Sequence, residues 1–234
     1  MKKNKNFSDL TLLIPTKRES ESLPIFLKEL KFINCKKIVI LESSDLETIY
    51  SIKNFNVKLL FQKQRGYGSA LKEGIKKTKT KFLCIINADG SMNPQSVVTM
   101  INKIKKFNYD FIFASRYQGK GGSEDDNLVT FVGNKIFTWF GNFFLNLKIS
   151  DILYTFILGK NSSFKNLKLK FSDFRICPEI PIKVNNMGYK YLCIDDFERK
   201  RIKGKKKVNA LLDGFLILKY LIAQYLNKIF RTNK

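Results

Sequence analysis

The residues best suited to chemistry lie in segment 64–94, whose sequence is QRGYGSALKEGIKKTKTKFLCIINADGSMNP. Directly after an apolar run, oxygen-bearing side chains stand at alternate positions: Asn87, Asp89, Ser91 and Asn93. Such ligands suit hard cations like magnesium or manganese, which proteins usually hold with one or two carboxylates and the phosphates of a substrate. The segment therefore predicts a metal-assisted site for a nucleotide.

The elements that must position these residues are predicted by the hydrophobic period. Gly66 and Gly68 permit a tight turn and a close backbone approach, and Leu71 and Ile75 then share one face of a helix. Strands are predicted at 10–14, 37–41, 57–61, 82–86 and 111–114, and helices at 20–32, 46–53, 70–77 and 94–107. This alternation predicts an α/β fold with a doubly wound, mostly parallel sheet and helices on both faces.

Polar side chains follow the carboxyl ends of several predicted strands. Thr16 and Glu19 follow the first strand, Glu42 the second, Asp89 the fourth and Arg116 the fifth. Open α/β sheets bind their ligands in a crevice at this edge. We therefore expect these side chains to line one site.

The composition excludes several kinds of chemistry, because the chain of 234 residues has no histidine. Ser-His-Asp and Cys-His catalysis, histidine metal sites and histidine acid–base chemistry are all ruled out. Catalysis would have to use carboxylates, lysine or arginine, backbone dipoles or a metal.

Cysteine spacing and the N-terminal sequence bear on the compartment. Cys35, Cys84, Cys177 and Cys193 are far apart and show no metal-ligand spacing, so we expect reduced thiols. The first lysines are followed by polar residues rather than by the apolar stretch of a signal peptide. Both features favour a cytoplasmic protein.

The formal net charge of +23 has two interpretations. One is an anionic partner, such as nucleic acid, anionic lipid or a phosphorylated substrate. The other is a general bias toward lysine, since Lys, Asn, Ile and Phe are all heavily used. The charge alone therefore names no partner.

The second half of the chain contains a polar loop and two further segments, each of which allows two interpretations. Residues 118–127, QGKGGSEDDN, predict a Gly-rich polar loop and a mobile flap. Segment 131–147 predicts a helix rich in aromatic residues, which suits either core packing or a membrane-facing surface. Seven of the nine residues in 199–207 are basic, and a helix is predicted at 208–230. This tail favours either an anionic membrane surface or simple docking on the core.

Several motifs, in this order, resemble those of glycosyltransferase family 2, which has the GT-A fold. Within that family the chain looks like the branch of dolichol-phosphate mannosyltransferases and polyprenyl-phosphate hexosyltransferases. The motifs that carry the resemblance are LLIPTKRESESL, RGYGSALKEGIKKTK, INADGSMNP, ASRYQGKGG, GNKIFTWFGNFFLNLKISDILYTF and MGYKYLCIDDFERKRIKGKKKVNALLDGF. The resemblance implies a catalytic domain over 1–198, followed by a basic loop and an amphipathic helix over 199–234.

The resemblance also implies roles for individual residues. The metal ligands would be Asp89 and, less directly, Ser91. The nucleotide sugar would be bound by Pro15, Thr16, Glu19, Glu42, Gly66, Gly68 and Asp89. The catalytic group would comprise Asp89, Arg116, which would face the phosphates, Asp151, and the pair Arg201 and Lys207 on a closing loop.

The function implied by the resemblance is hexose transfer with inversion. The donor would be a nucleotide-diphosphate sugar of the GDP-mannose or UDP-glucose type, with Mg²⁺ or Mn²⁺ as cofactor. The acceptor would be a polyprenyl or dolichyl phosphate at the cytoplasmic face of a membrane. A lipid phosphate is already an anionic nucleophile, so it would need no general base from a chain without histidine.

Departures from the family motifs leave a second hypothesis open. Asn87 stands at the first aspartate of the metal motif, Thr155 at a usual glycine and Lys206 at a usual serine. One carboxylate fewer predicts weaker metal binding. A catalytically altered protein that binds sugar nucleotides or a partner is therefore the alternative. Nucleic-acid binding is disfavoured, because the aromatic residues lie away from the basic run.

Overall fold

A computed structural model describes residues 5–204 and 206–232. The strands are β1 (Lys5–Pro15), β2 (Ile33–Leu41), β3 (Lys58–Phe61), β4 (Phe82–Ile85), β5 (Phe111–Ser115), β6 (Gly122–Ser123), β7 (Ile157–Lys160), β8 (Tyr191–Asp195) and β9 (Phe197–Glu198). The helices are α1 (Ser22–Glu29), α2 (Leu46–Ser51), α3 (Tyr67–Lys77), α4 (Pro94–Phe107), α5 (Leu128–Leu145), α6 (Asn161–Asn166), α7 (Ile176–Asn186) and α8 (Ala210–Thr232). A single 3-10 turn, Leu30–Phe32, joins α1 to β2.

Seven strands form one mostly parallel sheet in the order β3-β2-β1-β4-β7-β5-β8. Only β7 runs antiparallel within it, paired with β4 on one side and β5 on the other. The predicted doubly wound α/β fold is confirmed, and each of the five predicted strands overlaps an observed one. The sequence analysis missed β7 and β8. Strand β7 has only four residues and includes Gly159, against which the rings of Phe111 and Phe164 pack.

The core lies on both faces of this sheet. Helices α1 and α4 cover one face with side chains such as Phe26 and Ile101, both without exposed surface. Helices α3, α7 and α8 cover the other face, where Leu71, Ile180 and Leu221 are likewise fully buried. Helices therefore flank the sheet on both sides, as expected.

The helix α5 begins three residues before its predicted start because of a capping box. The side chain of Asn127 accepts a hydrogen bond from the backbone N–H of Thr130, and the Thr130 hydroxyl accepts one from the N–H of Asn127. These two bonds satisfy N–H groups that a helix terminus otherwise leaves unpaired. The cap also fixes the point at which the 118–127 loop ends.

Helices α5 and α8 pack together, with the rings of Phe144 and Tyr225 4.8 Å apart, and each leaves one apolar stripe exposed. On α5 the exposed stripe consists of Leu128, Val129, Phe131, Val132, Ile136, Trp139 and Phe143. On α8 it consists of Leu211, Leu212, Phe215, Leu218, Ile222, Leu226 and Phe230. Within the described part of the chain, neither helix nor any other is long and apolar enough to span a membrane.

The turn before α3 requires glycine because another part of the backbone crosses it. Gly66 has a φ of +116°, and a Cβ there would collide with the carbonyl oxygen of Ser172. A Cβ on Gly68 would lie 2.5 Å from the carbonyl oxygen of Phe171 and 2.9 Å from that of Asp173. Gly68 therefore packs against this backbone. It was expected to bind the nucleotide sugar, but it does not line the pocket at the carboxyl edge of the sheet.

We predict that Gly68→Ala lowers the free energy of unfolding by about 1–3 kcal/mol, the usual cost of overpacking against atoms that cannot move aside. Gly133→Ala is the matched control, because Gly133 is helical and has nothing within 4 Å of the added Cβ. It should stabilise the protein by about 0.5–1 kcal/mol through helix propensity. Chemical denaturation of both variants measures the difference, and equal stabilities would contradict this account of the turn.

Candidate active site

A pocket of about 360 Å³ opens at the carboxyl edge of the sheet, where the sequence predicted a site. Most of the candidate residues line it: Pro15, Thr16, Glu19, Glu42, Gly66, Asp89, Arg116, Arg201 and Lys207. Ser91, Asp151 and Gly68 lie outside the lining. The strand ends thus bring the pocket-lining residues together. Ser91, Asp151 and Gly68 instead contact other parts of the protein.

Asp89 sits in the pocket wall, held by the turn that follows β4. Its Oδ1 accepts hydrogen bonds from the backbone N–H and the hydroxyl of Ser91, at 3.1 and 2.9 Å. Its Oδ2 lies 3.5 Å from Nη2 of Arg201. Ser91 is only 1% exposed, so it orients Asp89 and is not placed to bind a metal itself. That corrects the expectation of a second ligand.

Asn87 is fixed by a tyrosine on the facing helix. The hydroxyl of Tyr67 donates to Oδ1 of Asn87 at 3.1 Å and lies 2.6 Å from the hydroxyl of Thr155. The Tyr67 ring also stacks on Phe174, with centroids 5.1 Å apart. Tyr67 and Thr155 line the pocket beside Asn87. The sequence analysis did not select Tyr67, and it named Thr155 only as a departure from the family motif.

Arg116 is buried among three carboxylates. Its Nε and Nη2 donate to Asp151 at 2.7 and 3.1 Å, and its Nη1 lies 3.2 Å from Glu198 and 3.4 Å from Asp126. Burial opposes its charge, but the carboxylates of Asp151 and Glu198 together outweigh that effect and raise the pKa of Arg116 well above its usual value. The guanidinium is therefore permanently charged, and each of its three nitrogens already donates a hydrogen bond to a carboxylate.

This environment corrects two expected roles. Arg116 was expected to face the phosphates, yet its donors are engaged by Asp151, Asp126 and Glu198. Asp151 was expected in the catalytic group, yet its side chain has no exposed surface and both its oxygens contact Arg116. Asp151 holds Arg116 in place and is not positioned to touch a substrate.

The 118–127 loop supplies acidic residues that the sequence analysis overlooked. Asp126 contacts Arg116 and accepts a hydrogen bond from the hydroxyl of Tyr117. Asp125 lies 3.1 Å from Arg201 and 3.3 Å from Lys206. Ion pairs thus bind the loop that was expected to be a mobile flap. A run of three acids, 124–126, in so basic a chain was the signal that could have shown this.

The basic run lies across the metal motif. The N–H of Arg199 donates to the carbonyl of Ser91 at 2.8 Å, and the N–H of Ile202 donates to that of Asp89 at 2.9 Å. Arg201 and Lys207 face the pocket, as predicted, and Nζ of Lys207 lies 3.4 Å from Glu19. Lys205, which also belongs to this run, is outside the described residues.

Two further glutamates complete the charged lining. Glu42 lies 3.3 Å from Nε of Arg65 and 3.9 Å from Nζ of Lys17. Burial raises the pKa of Glu19, although a hydrogen bond from Ser22 and the charge of Lys207 oppose the shift. The pocket therefore alternates carboxylates with cations, an arrangement that can bind a cation and an anion side by side.

The donor set suits a divalent cation that shares its coordination with a ligand. In the described residues, no three carboxylate or thiol side chains converge to form a complete metal cage. Asp89 offers a carboxylate oxygen at the pocket wall, 3.5 Å from Arg201, and the carboxylates of Asp125 and Glu19 line the same pocket. Magnesium is commonly held by one or two carboxylates and substrate phosphates. The residues present therefore fit a cation that binds together with a diphosphate.

The chain resembles several known glycosyltransferases. An uncharacterized glycosyltransferase of Mycobacterium tuberculosis is 23% identical over 208 residues, which are 89% of this chain and 93% of that protein. Among solved structures, mannosyl-3-phosphoglycerate synthase from Rubrobacter xylanophilus matches with a TM-score of 0.68 and 13% identity, over 96% of this chain and 74% of the other.

Another similar structure is glucosyl-3-phosphoglycerate synthase from Mycobacterium tuberculosis, solved with Mn²⁺, UDP and glucosyl-3-phosphoglycerate. It matches with a TM-score of 0.70 and 11% identity, over 92% of this chain and 78% of the other. At such low identity these structures establish the shared fold. The family model for glycosyl transferase family 2 matches residues 11–168, which include the metal motif, Arg116 and Asp151. The chain therefore belongs to glycosyl transferase family 2.

Proposed function

We propose that this glycosyltransferase moves a hexose from a nucleotide-diphosphate sugar to a polyprenyl phosphate at an anionic membrane surface. The observation that carries the proposal is the position of the pocket beside two helices with exposed apolar stripes. Thr130 and Asn134 of α5 line the pocket, as do Ile217 of α8 and Val208 just before it. An acceptor with a lipid tail could therefore remain in an apolar layer while its phosphate enters the site.

The donor half of the proposal follows from the charged lining. Asp89 would hold Mg²⁺ or Mn²⁺, and the cation would offset negative charge on the departing diphosphate. Arg201, Lys206 and Lys207 all line the pocket and would bind phosphate oxygens. The similar synthase structures contain Mn²⁺ with UDP or UDP-glucose, which supports this type of donor.

The reaction needs little proton chemistry from the protein. An oxygen of the acceptor phosphate would attack C1 of the sugar while the bond from C1 to the diphosphate breaks, with inversion at C1. Asp151 is fully buried against Arg116, so it could not serve as a general base. An acceptor that arrives already ionised requires none. Electrostatic stabilisation of the leaving group then becomes the main task of the site.

The membrane half rests on the two stripes and on nearby positive charge. Trp139 is 58% exposed and Phe215 66%, although large aromatic side chains usually lie inside. Apolar helix faces with a tryptophan, beside lysines, are typical of helices that lie in a membrane interface. Lys206 and Lys207, both exposed, come shortly before α8 in the chain. A cytoplasmic, peripheral location would follow.

A soluble phosphoglycerate is the second candidate acceptor. The similar solved structures include synthases named for 3-phosphoglycerate, one of them solved with phosphoglyceric acid and UDP-glucose. The same basic residues could bind its phosphate and carboxylate. That acceptor would, however, leave the apolar stripes of α5 and α8 without a use in this reaction.

The test of function is a competition between the two acceptors. The full chain is incubated with Mn²⁺ and labelled UDP-glucose or GDP-mannose, together with short-chain polyprenyl phosphate in anionic vesicles or with 3-phosphoglycerate. We expect label in the organic phase with the lipid acceptor. Label only in a water-soluble product would replace the proposed acceptor, and donor binding without transfer would indicate a catalytically altered relative.

We predict that Asp89→Asn abolishes the Mn²⁺-dependent binding of UDP or GDP, because it removes the carboxylate proposed to hold the cation. The amide keeps an oxygen for the hydrogen bonds from Ser91, so the turn should remain folded. Asp125→Asn is the matched control, since it removes the other carboxylate beside Arg201 without touching the metal position. Calorimetry should show a larger loss of Mn²⁺ dependence for Asp89→Asn, and equal losses would refute the assignment.

We predict that Trp139→Glu and Phe215→Glu each weaken binding to phosphatidylglycerol vesicles by about tenfold or more, given the value of burying a large apolar side chain. Tyr50→Glu is the matched control, because Tyr50 is 67% exposed on α2, away from both stripes. Added salt should also weaken binding, since a basic residue near an anionic surface contributes about 1 kcal/mol. Co-sedimentation measures all of these, and identical binding by the stripe variants and the control would rule out membrane docking through this face.

A further inference from the structure

We infer that Asn87 binds the diphosphate of the donor through its amide nitrogen, and thereby reduces how far donor binding depends on the cation. This inference rests on the proposed function, because it assumes a nucleoside diphosphate in the pocket. It assigns a specificity-determining role to a residue that departs from the family's metal motif.

The first step is that Tyr67 fixes which end of the amide faces the pocket. The Tyr67 hydroxyl donates to Oδ1 of Asn87 at 3.1 Å, and its other contact, 2.6 Å away, is the hydroxyl of Thr155. If Tyr67 donates to Asn87, Thr155 donates to Tyr67. Burial raises the pKa of Tyr67 well above its usual value, so the hydroxyl stays protonated and has one proton to donate.

The second step is that Tyr67 itself has little freedom. Its ring stacks on Phe174 with an interplanar angle of 19°, and Thr155 is only 5% exposed. A rigid donor on the carbonyl side of Asn87 leaves the Nδ2 group on the other side. Among the residues that the structure describes, none accepts a hydrogen bond from this Nδ2. Asn87 nevertheless lines the pocket two residues before Asp89.

The third step concerns the sign of the interaction. A carboxylate at position 87 would present negative charge to a diphosphate and would need a cation between them. The amide nitrogen presents N–H donors, which can bind a phosphate oxygen directly. Two departures from the family pattern, Asn87 and Thr155, meet at the Tyr67 hydroxyl. Together they replace a second metal ligand with an oriented donor.

The experiment measures the affinity of the full chain for UDP and for GDP by calorimetry, with Mn²⁺ and with a chelator. Asn87→Asp should lower the affinity without metal by about tenfold, since a hydrogen bond to a charged group is lost and repulsion is gained. The ratio of affinities with and without Mn²⁺ should rise by at least the same factor. Tyr67→Phe should lower the metal-free affinity by about threefold or more, because the amide is then free to turn over.

Asn56→Asp is the matched control, since it adds the same charge at an exposed position at the opposite edge of the sheet. It should behave as the unmodified chain does. Metal-free affinity that is unchanged in Asn87→Asp or in Tyr67→Phe would overturn the inference while leaving the donor site in place. If the unmodified chain binds neither nucleotide even with Mn²⁺, the proposed function fails and the inference fails with it.

Discussion

The buried guanidinium of Arg116 is the interaction on which the rest of the site depends. Asp126, Asp151 and Glu198 reach it from three separate segments: the loop before α5, the loop after α5, and strand β9. A buried charge without its partner costs about 3–5 kcal/mol. The three segments must therefore arrive together for the native state to be stable.

The ion pairs of Arg116 also determine, indirectly, where the charged side chains of the pocket lie. Asp125 stands next to Asp126 and holds Arg201 and Lys206, so anchoring Asp126 also places two cations over the metal motif. Glu198 directly precedes the basic run, and strand β9 pairs with β6, which lies within the 118–127 loop. Arg116 thus helps to position the cations proposed to bind the diphosphate, although Arg116 itself is not proposed to contact the diphosphate.

Local patterns in the sequence account for what was predicted correctly. Parallel strands are buried on both faces, so runs such as 10–14 and 82–86 are plain in the sequence, and their carboxyl ends mark Thr16 and Asp89. The roles of Arg116 and Gly68 could not be found in this way. The partners of Arg116 are 10, 35 and 82 residues away, and Gly68 is required by backbone about a hundred residues further on. Strand β7 likewise owes its place to two neighbours and has little pattern of its own.

The stripes of α5 and α8 have a consequence for the behaviour of the protein away from any bilayer. Two adjacent helices with this much apolar surface would favour self-association in water. The net charge of +23 opposes it, since copies repel one another before the stripes can meet. Salt shortens that repulsion from a range of about 10 Å at 0.1 M to about 3 Å at 1 M. Colloidal stability should therefore be greatest in dilute buffer, and concentrated salt, often added to keep basic proteins apart from contaminants, should bring copies of this one together.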